Sequence, residues 1–310
     1  DTTLAAAGNA IGRFAAVSGG DVSLVNGVAL TLGASDVTGD LDIENAQAVG
    51  VADRVVAGGR VRLVSAAGGI DGAGGRIEAG GLNVEAATGI GGGTALETQV
   101  ATLSVDNTTS GDVRVVNAGD VVLAGRFRNQ ARGGALTLTV DDGAIDTGDA
   151  GVSSNAGAVT LEARERDPAS VAEVNVGAGG LRSAGGDVVL RAADAIRLGG
   201  AVESGAGALT LISGAAIEQL AGRIASASVR SESVGDTTLA AAGNAIARLS
   251  AEAGGSLAVQ NGARLAVDET DVTGDLQIDN AQGIDIAGTA VVGGRVRLTT
   301  AAGNIDGAGG

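Results

Sequence analysis

The chain of 310 residues has no cysteine, histidine, tryptophan, tyrosine or methionine, only one proline and only two phenylalanines. All 20 of its basic residues are arginine. The lack of cysteine excludes disulfides and thiolate metal sites, and suits a chain that crosses an envelope unfolded. The lack of histidine removes the usual general base and the commonest metal ligand. Basic charge is scarce, so the net charge is −16, which disfavours nucleic acid and anionic membranes as partners. No apolar run reaches the roughly 18 residues of a membrane span, so no transmembrane segment is predicted. There is no initiator methionine and no signal peptide, and the chain is expected to be a window from a longer protein.

What is present is glycine, 55 residues of it, in a chain that is 45% hydrophobic. Collagen would need glycine at every third position and abundant proline. A disordered linker would be poor in apolar residues. Neither fits, so the chain should pack. A block of 75 residues occurs twice: Asp1–Gly75 returns as Asp236–Gly310, without a gap and with about 60% identity. The offset of 235 residues defines a super-repeat, and internal repetition marks a solenoid. Residues 1–310 are therefore expected to form one repeat segment rather than separate domains.

A shorter period lies beneath the long one. Apolar-x-apolar pairs recur at Val22/Leu24, Leu41/Ile43, Val61/Leu63, Leu82/Val84, Leu136/Leu138, Val159/Leu161, Val188/Leu190, Leu209/Leu211, Leu257/Val259, Leu276/Ile278 and Val296/Leu298. Alternation with period two reads as a strand with one buried face. Two residues after each pair comes a small or polar residue (Asn26, Asn45, Ser65, Ala86, Asn261, Asn280), read as a turn slot tolerant of left-handed angles. A second short strand, a third apolar patch and a Gly-Gly follow before the next pair. Three short strands in about 20 residues make one coil, and the predicted fold is all-β: a right-handed parallel β-helix of 14 or 15 coils, roughly 70 Å long at about 4.8 Å per coil. Phe14 and Phe127, each in a Gly-Arg-Phe run, are expected at the same place in their coils as core packing. Two places break the period. Leu103/Val105 and Val113/Val115 lie too close together, as do Ala227/Val229 and Thr237/Leu239. The stretch Glu162–Ser170, which holds Pro168, is expected to bulge out as a loop.

Few motifs suggest chemistry. The glycine-rich stretch Gly89–Thr94 lacks the lysine of a phosphate loop, and no helix follows it. The repeated GGIDGAGG lacks the spacing of calcium-binding nonapeptides, so no cofactor is expected beyond adventitious Ca²⁺. Asp141 and Asp142, with Asp146 nearby, are the best carboxylate pair for a polysaccharide-cleaving enzyme. Adjacent strand residues face opposite sides, however, and catalysis is not expected. The stretch Arg126–Arg132 is locally basic and could meet an anionic glycan or sulfate, while Glu162–Asp167 is mixed in sign; Arg126, Arg128 and Arg132 in the first and Arg164 and Arg166 in the second are the candidates for surface contact with a glycan.

The coil texture GG-x-V-x-L-x-x-(A/N)-x-G-x-I-x-G-x-G, seen in Gly58–Gly75 and Gly293–Gly310, resembles the repeats of filamentous haemagglutinin-like exoproteins, as does Ile90–Val122. That resemblance implies the shaft of a large secreted or surface adhesin of a Gram-negative bacterium, active in attachment or biofilm formation. It also implies export by two-partner secretion through an outer-membrane transporter, and contact with a host or bacterial surface glycan or protein through regions outside this segment. The shaft of a contact-dependent inhibition toxin, a glycan-binding module and a self-associating matrix filament are the alternatives.

Overall fold

The computed structural model describes residues 1–307; the last three residues of the second copy, 308–310, lie outside it. Every element among the described residues is a strand, and the strands pair in parallel with those of the next turn, making a β-solenoid of about 15 turns. The register keeps apolar pairs in line. Val22 lies beside Leu41, Leu41 beside Val61, Val61 beside Leu82, and Leu82 beside Leu103. In this ladder alternate side chains turn inward: the five residues of Val22–Asn26 alternate between buried and half-buried. The core is a continuous column of Val, Leu, Ile and Ala along the axis.

In the first turns each coil has three short strands, for example Leu41–Asn45, Val49–Val51 and Arg54–Ala57. The crowding of Leu103/Val105 and Val113/Val115 in sequence marks a change of cross-section. The strand Val113–Ala118 meets Ile90 with its first residue and Leu96 to Thr98 with Val115 to Asn117. Two sides of the coil thus straighten into one. On the opposite wall Leu103 pairs with Leu123 but Val105 pairs with Phe127, so residues 124–126 bulge out and one side becomes two. Gly125, at φ 92°, makes that corner in a backbone region that side chains disfavour.

The reverse change differs from the sequence expectation. The strand Ile224–Ser233 runs through the segment read as the second irregularity. The side splits again only later, where Leu249 pairs with Val267 but Ala251 pairs with Thr270. The crowded pairs at 229 and 237 simply occupy successive sides of one coil. The two phenylalanines are also not equivalent. Phe14 is half-buried beside Leu32, and Leu249 holds the matching place beside Val267. Phe127 is fully buried between Val105 and Val152, in a different ladder.

The turn slot needs a correction as well. Asn26, Asn45, Asn261 and Asn280 do not adopt left-handed angles; among the described non-glycine residues only Ala73, Asp142 and Ala156 have positive φ. These asparagines end their strands and are buried with their amides pointing inward. Asn26 donates to Oδ1 of Asn45 at 2.8 Å, and Asn261 to Asn280 at 2.9 Å. Asn45 also donates to the carbonyls of Gln47 and Ala48. Each amide satisfies the backbone of a tight corner where strand pairing has stopped, which a buried carbonyl requires.

Candidate surface-contact site

The outward surface is built from two kinds of cross-coil bond. The first uses a Gly-Asp dipeptide just before an inward pair: Gly39–Asp40, Gly235–Asp236 and Gly274–Asp275 are examples. The Asp carboxylate reaches to the next coil and accepts the backbone N–H there. Asp21 accepts from Asp40 at 2.9 Å, Asp40 from Arg60 at 2.6 Å, Asp236 from Ser256 at 2.7 Å and Asp275 from Arg295 at 2.8 Å. The glycine one coil on lies directly over the carboxylate. A methyl group at Gly59 would collide with Oδ1 of Asp40, and one at Gly294 with Oδ1 of Asp275. This explains Gly-Gly more specifically than a turn preference does. The dipeptide itself was the sequence signal for these register-fixing aspartates.

This stacking makes a testable coupling. Gly59→Ala should destabilise the chain by about 1–3 kcal/mol through overpacking. In the Asp40→Ala background the same change should cost clearly less, because the colliding oxygen is gone. Urea unfolding of the four chains measures the coupling; strictly additive losses would show that the contact does not hold the glycine in place.

The second kind is a set of ion pairs between arginines and carboxylates. Most bridge adjacent coils: Arg54–Glu78, Arg62–Asp42, Arg223–Glu203, Arg248–Asp268 and Arg264–Asp285; Arg13 reaches Asp53 two coils on. Exposed pairs of this kind contribute little singly, roughly 0–1 kcal/mol each. Their consequence is that most arginines are already engaged within the rod.

The arginines singled out from the sequence are placed accordingly. Arg126 and Arg128, on the strand Val121–Asn129, both bond Asp106 of the preceding coil, at 3.2 and 2.8 Å. The Asp106 side chain is only 7% exposed and also accepts from Gln130. Arg164 bonds Glu162 and Arg166 bonds Asp141. Arg132 is exposed and has no ion pair among the described residues. Arg128 and Arg164 belong to different ladders, one running to Val152 and the other to Val188, so the two candidate stretches do not form one patch. The loop is also shorter than its sequence outline. Glu162 to Arg164 remain in the strand Val159–Arg164, and the exposed excursion is residues 165–171.

Burial pushes the Asp106 carboxyl up, but hydrogen bonds from Arg128, Gln130 and Arg126 together hold it below the usual carboxylate range. Its folded pKa is thus lower than its unfolded one. The stabilisation it gives is present above the ordinary carboxylate value and is lost as pH falls through the lowered folded value. Carbon-13 NMR titration of Asp106 should find a midpoint below that of a free aspartate. In Arg128→Gln the midpoint should rise; an unchanged midpoint would remove the guanidinium as its cause.

The best carboxylate pair, Asp141 and Asp142, has structural roles. Asp142, at φ 58°, accepts the backbone N–H of Arg166 at 2.6 Å and of Asp167 at 2.7 Å, anchoring the loop. Those two backbone bonds lower its pKa. Asp146 accepts from Gly148. Among the described residues no three carboxylates, histidines or cysteines are grouped to hold a metal ion, and no helix is long and apolar enough to cross a membrane. The concavities are shallow grooves on the outer faces. Two of them lie where the cross-section changes: one beside the 124–126 bulge, the other beside the split at Leu249, lined by Glu232, Glu252, Glu269 and Asp271.

A family model described as repeats of unknown function (DUF5649) matches residues 19–74 and 185–250. The two segments are not offset by the 235 residues of the long copy, and they fall on both forms of the cross-section. The family thus follows the coil and not the super-repeat. Together with the stacked strands, it supports a repeat-type β-helical protein. No curated protein and no solved structure matches the chain.

Proposed function

We propose that this chain is a shaft segment of a large bacterial adhesin, secreted or held at the cell surface and exported by two-partner secretion. The observation that supports this best is the unbroken stack. One core column runs through the described residues, and most of the arginines are bonded to carboxylates, mainly across coils. Such a body is suited to holding something else at a distance. Its coils contact mainly their neighbours, so rigidity along the axis grows with each coil added. The net charge of −16 keeps parallel rods apart in solution. Attachment to a host or bacterial glycan or protein would then be made by other regions of the adhesin, and the outer-membrane transporter would be a partner only during export.

The test is made on the producing cells. Antibody raised against the exposed loop at residues 165–171 should label intact cells or be absorbed by the culture fluid. Deleting the candidate transporter should trap the antigen inside. Antigen found only in lysed wild-type cells would overturn the reading.

A further inference from the structure

We propose that the groove beside the first cross-section change binds a neutral, hydroxyl-rich polysaccharide lying along the rod axis. This does not depend on the shaft reading, since the groove belongs to the rod itself. Two outward columns run side by side here. One passes through Asp42, Arg62, Asn83 and Ser104; the other through Arg60, Gly81 and Thr102. The bulge at Ala124 and Gly125 closes the groove at one end. Gly81 leaves a notch between Arg60 and Thr102, and even a methyl group there would come within 2.5 Å of Oγ1 of Thr102.

The bonding state of these groups is uneven. Arg62 is held by Asp42 at 2.9 Å and by Glu44 at 2.7 Å. Ser104 exchanges hydrogen bonds with the backbone of Arg126. In contrast, the guanidinium of Arg60 and the amide of Asn83 have no hydrogen-bond partner among the described residues, although both side chains are exposed in the groove. Thr102 has only a long 3.5 Å contact to the carbonyl of Gly80. Free groups in a groove where neighbouring polar groups are bonded are the ones available to a ligand.

Their chemistry narrows the occupant. The outward side chains from Arg60 and Asp42 up to Thr102 and Ser104 are polar, and the exposed Val122 follows Thr102 at the bulge end, so the groove suits an occupant with both hydroxyls and some apolar surface better than a wholly apolar peptide or lipid. Asp40 and Asp42 flank the arginines, which disfavours a polyanion. A guanidinium, a carboxamide, a hydroxyl and a carboxylate offer both donors and acceptors. Vicinal sugar hydroxyls need that mixture and carry no charge. Coils repeat about every 4.8 Å along the axis, close to the length of one pyranose in an extended chain, so successive sugars meet successive coils. There is no aromatic platform, so a short oligosaccharide should bind with a millimolar dissociation constant and a long chain more tightly by multivalency.

The experiment is amide NMR of the whole chain with neutral β-linked gluco- and manno-oligosaccharides, and a heparin fragment as the charged comparator. The expected result is shifts at Arg60, Gly81, Asn83 and Thr102 with a neutral oligosaccharide, with about a tenfold loss of affinity in Arg60→Ala/Asn83→Ala. Arg132→Ala, outside the groove, should bind as the parent does. Thr102→Ala provides a second variant should the double one lose its fold. Shifts with heparin alone, no shifts at these amides at millimolar sugar, or full binding by folded groove variants would each overturn the proposal.

Discussion

Replacing Val61 and Leu63 together by aspartate will unfold the coils around them while leaving distant coils intact. Both side chains are fully buried, and Leu63 stacks between Ile43 and Val84, which are buried to the same degree. Removing a buried leucine side chain alone costs about 2–5 kcal/mol. The variant adds two carboxylates with no donor in reach, and a buried polar group without a partner costs a further several kcal/mol each. The sum exceeds what the local coils can hold. Because contacts run mainly between adjacent coils, the damage should stay local. Hydrogen exchange should show loss of protection in Leu41–Asn45, Arg60–Ser65 and the paired part of Arg76–Ala86, with Val188–Ala192 and beyond unchanged. The conservative Leu63→Met should cost less than about 1.5 kcal/mol. Protection retained around the two aspartates would mean that these side chains do not form the core. If folding outside the cell helps draw the chain through its transporter, the same double variant should also be released more slowly, and an unchanged rate would remove that proposal.

Phe127→Ala should give the largest loss of any single truncation, about 3–5 kcal/mol. Phe127 is the largest fully buried side chain, at 0% exposure, and it sits where the cross-section changes. It directly follows the bulge of residues 124–126 and lies between Val105 below and Val152 above. The neighbouring Asn107–Asn129 amide pair, at 2.8 Å, depends on the same spacing. A void there cannot be closed by sliding the strand along the preceding coil, because that register is fixed by the Arg128–Asp106 and Asn107–Asn129 bonds. Exchange should accelerate first in residues 102–107, 127–129 and 152–154. Phe14→Ala is the control: its side chain is only partly buried, and its loss should be clearly smaller. Equal losses for the two would show that the change of cross-section is not held by the ring.

Several features were legible from the residues alone. The period-two apolar pairs gave the strands, their recurrence gave the parallel coils, and glycine density excluded helices, as the structure bears out. Each of these rests on a local rule repeated many times, so an error at one place does not alter the answer. The Asn slots are legible in position but not in role. A strand-ending asparagine and a left-handed turn asparagine look alike in sequence; only the neighbouring coil shows where the amide points.

The candidate site was less legible. In sequence, Arg126 and Arg128 stand out in a basic stretch and Arg164 and Arg166 in one of mixed sign. Arg164 bonds Glu162 two residues away, but Asp106 and Asp141, the partners of the other three, lie about one coil away in sequence, and pairing across that distance depends on register. Arg60 and Asn83 do not stand out in sequence, because nothing near them there is unusual. They matter through Gly81 beside them and the bulge at Gly125 two coils on.

The sequence by itself therefore determined the class of structure: strand, coil, parallel stack, and an acidic surface with no histidine or cysteine chemistry. Tertiary structure decided where the coil changes shape and which charged groups are engaged or free. The reason is physical. Alternation and glycine act within a few residues of chain, whereas ion pairs, amide ladders and the fit of Phe127 join residues about twenty apart, whose alignment exists only once the coils have stacked.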